Sequence, residues 1–244
     1  MNRLKKWFNK KIAQLSDIQI RKAVRHAEYD QVFERTYEDL RQEKPYRILL
    51  TGDIFHNKVD MSPNLITLAS TFFSKLSEIA PVDIIPGNHD LNLSQLAQGD
   101  SIKSIVALLF NGIVVRKDDV IDYQQKFGAN HGIFYFPDSG YYEIGSDIVY
   151  GHYSCIDGEI LNLTRKDENK KYIALYHGMV YQSMSDNGMI NSDPSLLRLS
   201  AFRGFDIVAM GDIHEQQSFE RIEEMYIDES ELTDYEKNGW QKSN

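Results

Sequence analysis

Residues 47–56 read RILLTGDIFH and residues 82–90 read VDIIPGNHD. In both stretches a short apolar run ends in a glycine or a proline-glycine pair, and side chains with oxygen or nitrogen donors follow. Short runs rich in Ile, Leu and Val, bounded by turn residues, are typical of buried β-strands. The two stretches therefore predict two strands that end in polar loops.

The same pattern of an apolar run followed by polar side chains recurs along the chain. The predicted strands are residues 12–16, 48–51, 82–86, 172–176 and 205–210. Apolar residues at helical spacing predict helices over residues 28–42, 62–79 and 100–110. Ser62 suits an N-cap and Pro63 suits the first helical position. Strand–helix–strand alternation predicts an α/β fold with crossover connections.

Two expectations concern the detail of these elements. In the first helix, one buried face is expected to contain Val32, Phe33, Tyr37 and Leu40. From residue 112 to 153 the sequence pattern changes to short segments typical of β-strands, GIVVR, GIFYF and YYEIGSDIVYGH. We expect these pieces to be antiparallel additions to a second sheet.

Composition limits the class of protein. The chain has 244 residues, of which 42% are hydrophobic and 26% are charged, as in an ordinary soluble globular domain. Cys155 is the single cysteine, so no disulfide forms within the chain. No apolar stretch is long enough to span a membrane, and the basic start of the chain has no signal-peptide core. We expect a cytoplasmic protein, or one of the nucleus or of the cytoplasm of a virus-infected cell, and not a secreted one.

The net charge of −9 is unevenly distributed. Residues 1–47 hold twelve Lys and Arg against seven Asp and Glu, whereas residues 215–244 hold three against nine. The sequence predicts a basic extension (1–10), one domain (11–215) and an acidic tail (216–244). The overall acidity argues against nucleic-acid binding through a broad basic surface. It does not argue against phosphate binding through metal ions held by the protein.

The polar residues at the predicted strand ends point to a metal site. They are Asp17 and Gln19, then Asp53 and His56, then Asn88, His89 and Asp90, then His177, then Asp212 and His214. Because ligands bind outside the carboxyl ends of strands in open α/β sheets, these side chains are expected at one rim. A lone GD or D-x-Q is common in ordinary loops, and GNHD is a stronger signal, but the joint order of the motifs predicts a site for two divalent metals. His26, His131 and His152 have no ligand spacing and are expected in ordinary surface or core positions.

At these residues the sequence resembles the calcineurin-like metallophosphoesterase superfamily. The matching motifs are DIQ (17–19), GD (52–53), GNHD (87–90), HG (177–178) and GDIH (211–214). The stretches LSDIQIR, LLTGDIFHNK and APVDIIPGNHDLNL resemble its DNA-repair nuclease branch, the SbcD-like or Mre-eleven nucleases, in a short form. The resemblance implies two packed mixed β-sheets flanked by helices, an αββα sandwich.

The resemblance also implies roles for individual residues. Asp17, Gln19 and His214 would face one metal, Asp53 would bridge, and Asn88, His177 and Asp212 would face the second. His89 would lie beside the phosphate, held by Asp90, and His56 would position the substrate. Gln19 and Asp212 stand where the superfamily usually has His. The more oxygen-rich ligand set favours Mn²⁺, with Mg²⁺, Fe²⁺ or Zn²⁺ as alternatives, or else marks a degenerate site.

Three functions remain open from the sequence. The first is a metal-dependent DNA exonuclease or endonuclease of repair or recombination that works with an SbcC-like coiled-coil ATPase. The second is a metallophosphoesterase for small molecules, and the third is a scaffold of the same fold without turnover. DNA contacts by the basic residues Lys5, Lys6, Lys10, Lys11, Arg21, Lys22 and Arg25 are one interpretation, and solvated surface charge is the other. A homodimer through the stripes at 32–40 and 102–110 competes with plain core packing.

Overall fold

Two β-sheets pack face to face in this computed structural model, which describes residues 10–21, 26–56, 62–91, 101–109, 112–116, 131–163, 167–185 and 188–213. The first sheet has five strands in the order β1-β2-β3-β5-β4. They are β1 (Ile12–Leu15), β2 (Arg47–Thr51), β3 (Val82–Ile85), β4 (Ile113–Val114) and β5 (Ile133–Tyr135). All four pairings are parallel, so every carboxyl end in this sheet lies at the same edge.

The second sheet has four strands in the order β6-β7-β8-β9. They are β6 (Gly140–Ile144), β7 (Ile148–Tyr153), β8 (Lys171–His177) and β9 (Ile207–Gly211). The β6–β7 pair is antiparallel, and β7, β8 and β9 run parallel to one another. The predicted two-sheet α/β architecture is thus confirmed, and the five predicted strands lie within two residues of their observed bounds.

Two details of the predicted topology are corrected. The first sheet is parallel throughout its described strands and not mixed. The pieces GIVVR and GIFYF supply β4 and β5 of this first sheet and do not extend the second one. β5 is buried along its whole length, as is usual for a parallel strand covered on both faces. Its short apolar sequence does not reveal which sheet it joins.

Three helices cover the outer face of the first sheet. They are α1 (His26–Glu43), α2 (Pro63–Ile79) and α3 (Ser101–Leu109). Ser62 caps α2 as predicted, because its hydroxyl accepts a hydrogen bond of 3.3 Å from the Leu65 N–H. Phe33 of α1 packs on Phe72 of α2 with ring centroids 4.3 Å apart. Within the described residues, no helix is both long and apolar enough to cross a bilayer.

The buried face of α1 is narrower than expected. Phe33, Tyr37 and Leu40 are buried, whereas Val32 is 59% exposed. The three buried residues follow the i, i+4, i+7 spacing of one helical stripe, and Val32 lies about 100° away from Phe33 around the helix. Including Val32 in the core face was therefore wrong.

The outer face of the second sheet is covered differently. A short 3₁₀-helix, Leu199–Phe202, and loop segments lie on it. Tyr153, Phe202 and Phe205 form an aromatic cluster there, with Tyr153 edge-on to Phe202 at 5.1 Å between centroids. Among the described residues the long helices therefore flank only the first sheet.

A buried ion pair within the first sheet is linked to the second sheet by a tyrosine hydrogen bond. Arg47 of β2 donates from Nε and a terminal nitrogen to both carboxylate oxygens of Asp83 on β3. Tyr150 of β7, in the opposite sheet, donates its hydroxyl hydrogen bond to Asp83 at 2.8 Å. All three residues are buried, so the carboxylate receives a cation and a neutral donor in place of water.

We expect Asp83→Leu to lower the free energy of unfolding by about 3–5 kcal/mol, because Arg47 would keep a buried charge without its partner. Tyr150→Phe, which removes one neutral donor, should cost about 1–2 kcal/mol. Urea denaturation of both variants checks the order. Equal and small losses of unfolding free energy in the two variants would mean that the Arg47 guanidinium becomes hydrated when Asp83 is removed.

His152 on β7 is also fully buried, which is one of the two ordinary positions, surface or core, expected for it. Its Nδ1 lies 3.0 Å from the carbonyl oxygen of Asp138, and its Nε2 has no hydrogen-bond partner among the described residues. Burial lowers the pKa of His152 to about 4, against the opposing effects of the Asp138 carbonyl and the Asp157 charge. The imidazole is therefore neutral in the folded protein near pH 7.

Stability should consequently fall in mild acid. The unfolded imidazole takes up a proton below about pH 6.5, while the folded one stays neutral down to about pH 4. Across that window the folded state should lose up to roughly 3 kcal/mol of stability. His152→Gln should flatten this part of a stability-against-pH curve from urea titrations. At about pH 8 the difference in free energy of unfolding between His152→Gln and wild type measures the cost of the substitution itself. An equally steep acid loss in the variant would rule His152 out as the cause.

Candidate metal centre

Four potential metal ligands meet where strands of the two sheets end. Asp17 follows β1, Asp53 follows β2, His177 ends β8 and Asp212 follows β9. Each offers one ligand atom, and these four atoms lie within 4.8 Å of one another. The strand ends that the sequence identified thus converge from both sheets on one point.

Left-handed backbone turns aim several of these side chains. Asp17, Gln19, Asp53 and Asp212 have φ angles of 54°, 47°, 52° and 66°. Residues with a Cβ rarely adopt this region, although Asp tolerates it better than most. Such conformations persist only where surrounding structure enforces them, and they cluster at functional sites. The turns cannot be read from the sequence, which shows only that polar residues follow each strand.

Asp53 is the buried centre of the group. Its Oδ1 accepts a hydrogen bond of 2.9 Å from the His89 N–H and lies 3.2 Å from His177 Nε2. Burial alone would raise the pKa of Asp53, but its interactions with His177 and His89 hold the pKa below its usual range. The other oxygen, Oδ2, is buried without a hydrogen-bond partner among the described residues. An ionised, buried and unpartnered carboxylate oxygen is what a divalent cation would satisfy.

His177 is oriented for ligation by a neighbouring backbone. Its Nδ1 donates to the Thr51 carbonyl oxygen at 2.7 Å, which turns Nε2 toward Asp53 and toward Asn88 Oδ1 at 3.2 Å. Metal-binding histidines are usually held in this way by their second ring nitrogen. Burial would lower the pKa of His177, but Asp53, the Thr51 carbonyl and Asp17 raise it to about 9. A proton and a metal ion would therefore compete for Nε2. Sequence reasoning missed the Thr51 carbonyl, since a backbone group leaves no residue-type signal.

Two glycines make the convergence sterically feasible. A Cβ on Gly87 would collide with the backbone nitrogen and Oδ1 of Asp53. A Cβ on Gly211 would collide with the Thr51 carbonyl oxygen and the Ser16 hydroxyl. The glycines in GNHD and GDIH therefore allow the strand ends of the two sheets to approach.

The position of Asp90 corrects the role that the resemblance implied. Its carboxylate is buried and accepts hydrogen bonds from the backbone N–H groups of Phe55 at 2.9 Å and Gly87 at 3.0 Å. His89 instead places Nδ1 3.0 Å from the carbonyl oxygen of His56. Asp90 thus ties the loop after β2 to the loop after β3 and does not hold the His89 imidazole. Burial raises the pKa of Asp90 to about 7, since the backbone donors compensate only in part for lost hydration.

His56 and His89 form a stacked pair beside the cluster. Their ring centroids are 5.9 Å apart and the planes differ by 10°. The His89 side chain is 42% exposed, and its Nε2 lies 3.9 Å from Asp53 Oδ2. Desolvation, together with Arg21 and His89, lowers the pKa of His56. One face of the cluster therefore presents imidazole groups to solvent.

Other predicted site residues take the following places. Asn88 lies against His177, and the Gln19 side chain lies against His56, with Oε1 3.3 Å from Nδ1. Asp212 donates its backbone N–H to the Asp17 carboxylate at 3.1 Å. His214 lies outside the described residues, as do residues 1–9 and the acidic tail. Tyr29, which sequence reasoning missed, donates from its hydroxyl to the Gln19 carbonyl oxygen at 2.8 Å.

The donor set fits a hard or borderline divalent cation. Three carboxylates and one imidazole make up the cluster, and thiolate is absent from it. Oxygen with some imidazole suits Mn²⁺, Mg²⁺ or Fe²⁺, and a dication would neutralise the mutual repulsion of the carboxylates.

Residues 10–226 match the family model described as calcineurin-like phosphoesterase. The chain belongs to this family. Family membership makes it a relative of phosphoester hydrolases, in keeping with a metal-binding cluster at the strand ends.

Two individual proteins are similar to this calcineurin-like phosphoesterase. "Uncharacterized protein R555" of Acanthamoeba polyphaga mimivirus is 38% identical over 220 residues, which cover 85% of this chain and 15% of that protein. The chain therefore spans less than a sixth of the length of that relative. The crystal structure of Pseudomonas putida nuclease MPE is 14% identical, with a TM-score of 0.38, over 75% of this chain and 68% of that one.

We expect Mn²⁺ to raise the midpoint of thermal unfolding, because it binds the folded cluster and not the unfolded chain. At about one hundred times its dissociation constant the gain is about 2.7 kcal/mol, or roughly 5–10 °C for a chain of this size. Asp53→Asn should abolish most of the rise. Asp193→Asn, which alters an exposed loop carboxylate, is the matched control and should respond like wild type. A full response in Asp53→Asn would place the cation elsewhere.

Proposed function

We propose that this chain is a metal-dependent phosphodiesterase that hydrolyses DNA phosphodiester bonds in repair or recombination. The observation that carries the proposal is the solvent-facing His56–His89 pair, stacked beside a buried cluster of metal ligands. Cations held by the cluster would neutralise phosphate charge at the place where the imidazoles could transfer protons. Membership of a phosphoester hydrolase family supports the reaction class. The preference for DNA rests on the resemblance of residues 15–21, 49–58 and 80–93 to the repair-nuclease branch.

The residues that would hold cations are those of the cluster, with Asn88 beside His177. Two divalent ions, Mn²⁺ by preference, are proposed. Bound cations supply neutralisation of phosphate charge and activation of water as the nucleophile. The carboxylates and the imidazole fix the positions at which that chemistry takes place. The stacked histidines lie beside the cluster, where His89 is exposed to solvent.

His89 is placed to move a proton. Its Nδ1 donates to the His56 carbonyl oxygen, which leaves Nε2 as the atom that gives or takes a proton at the exposed face. A proton held at Nε2 can pass to the oxygen that leaves phosphorus. His56, whose ring centroid lies 5.9 Å from that of His89, would contact a phosphate oxygen. Asp90 acts only indirectly, by fixing the two loops that bear these histidines.

A second candidate is a metallophosphoesterase for small molecules. The observation that favours it is Gln19, because the D-x-Q form of the first motif is similar to that of some small-molecule phosphodiesterases of the superfamily. The remaining alternative is a scaffold of the same fold that has no catalytic turnover, and an activity assay must distinguish it from both enzymes.

The proposed partners are DNA, an SbcC-like coiled-coil ATPase and a second copy of the chain, with action in the cytoplasm or nucleus. Two of the seven basic residues proposed for DNA contact, Lys10 and Lys11, have acidic partners, whereas Lys5, Lys6, Lys22 and Arg25 lie outside the described residues. Lys10 pairs with Asp147 at 2.7 Å and Lys11 with Glu43 at 2.6 Å, which favours a structural interpretation for both. Most of the described apolar residues in the stripes proposed for dimerisation are buried, and Val32 is an exposed large residue among them.

We expect Mn²⁺-dependent cleavage of end-labelled DNA, and a loss of about 10²–10⁴-fold in His89→Gln if His89 transfers the proton. His131→Gln, outside the site, should keep wild-type activity. A small chromogenic phosphodiester is assayed in parallel. Hydrolysis of the small ester alone would support the second candidate. If neither substrate is hydrolysed by protein that binds Mn²⁺, the result would indicate a scaffold and contradict the proposal.

A further inference from the structure

Gln19 makes a specific contact with the ring of His56. Its Oε1 lies 3.3 Å from His56 Nδ1. An amide oxygen only accepts hydrogen bonds, so the ring nitrogen must be the donor. The contact therefore selects the tautomer of His56 in which Nδ1 carries the proton and Nε2 carries the lone pair.

The backbone of Gln19 is held from both sides. Its N–H donates to the Asp53 carbonyl oxygen at 2.9 Å, and its own carbonyl oxygen accepts from the Tyr29 hydroxyl at 2.8 Å. The same hydroxyl accepts from the Arg21 N–H at 3.2 Å. With its φ angle of 47° fixed by these bonds, Gln19 has a defined direction in which its side chain can extend.

We propose that Gln19 is a positioning residue for His56 and does not ligate a cation. Its amide oxygen, the only atom with which Gln could bind a metal, already faces an N–H proton. The partial positive charge of that proton opposes a dication on the same oxygen. The cluster has four ligands without Gln19, namely Asp17, Asp53, His177 and Asp212. At this position the superfamily usually has a metal-binding His, so the inference assigns the residue a different task in this chain.

The contact has a consequence for the stacked pair. His89 also donates from Nδ1, to the His56 carbonyl oxygen at 3.0 Å. Both imidazoles are therefore anchored through Nδ1, and both leave Nε2 for other contacts. Gln19 and the His56 carbonyl thus set the same tautomer in two parallel rings. The tautomer itself does not depend on the proposed function. The inference rests on that function only in assigning phosphate contact and proton transfer to the two Nε2 atoms.

Nitrogen NMR of protein with isotope-labelled histidine tests the contact directly. Spectra are recorded at about pH 8 in buffer with Mg²⁺, so that the His56 imidazole, whose pKa is lowered, is neutral and the cluster is loaded. The variants are Gln19→Met, which removes the acceptor, and Gln19→Glu, which restores one. Gln42→Met, on the exposed side of α1, is the matched control. Calorimetric Mn²⁺ binding is measured on the same four proteins, and Gln19→Leu replaces Gln19→Met if the latter fails to fold.

We expect wild type, Gln19→Glu and Gln42→Met to show His56 protonated on Nδ1. Gln19→Met should lose this tautomer while its affinity for Mn²⁺ stays that of wild type. An unchanged tautomer in Gln19→Met would overturn the inference. So would a fall in its Mn²⁺ affinity of about tenfold or more, the effect expected from the loss of a ligand or its direct support. These readouts do not involve cleavage, so inactivity of the wild type toward DNA would defeat the proposed function and leave this result standing.

Discussion

The buried carboxylate of Asp53 is the constraint around which the site is arranged. It lies where β2 meets the second sheet, with one oxygen held by His89 N–H and His177, and the other without a hydrogen-bond partner among the described residues. A carboxylate in this position is costly unless it is paired, because the interior cannot replace its hydration. Interactions with His177 offset part of that cost, whereas the nearby carboxylates of Asp17 and Asp212 add like charge that a cation between them would neutralise. Steric access supplied by Gly87 and Gly211 serves the same convergence.

Three buried aspartates show how their surroundings divide their roles. Asp83 has the Arg47 guanidinium and the Tyr150 hydroxyl, so its charge is matched and it joins the two sheets. Asp90 has only backbone N–H donors, and burial raises its pKa to about 7. Asp53 stays ionised but has an unmatched oxygen. The first arrangement favours stability, the second connects two loops, and the third favours a ligand. All three residues are aspartate, so the role of each is determined by the groups that contact its carboxylate.

Much of the fold and site follows from the sequence because the informative pattern is local. An apolar run followed by Asp, Asn or His marks a strand and its rim, and parallel pairing then brings the rims together. Sheet membership of β4 and β5 depends on long-range packing that three-residue and two-residue strands do not encode. The task of Asp90 depends on which backbone N–H groups lie within 3 Å of it. Val32 was misplaced because a helical stripe is narrower than a list of neighbouring apolar residues suggests.

The net charge of −9 takes on a different meaning beside this geometry. Three of the acids lie in the cluster, where divalent cations would offset them, and two lysines of the basic N-terminal third are paired with acids. A protein that binds a nucleic acid through many Lys–phosphate contacts loses affinity steeply with salt, because each contact releases a counterion. For the proposed DNA substrate, attraction would instead come from a few contacts at the cluster and the two histidines. Binding of that kind depends weakly on salt and strongly on the divalent cation, so an acidic chain is compatible with a polyanionic substrate.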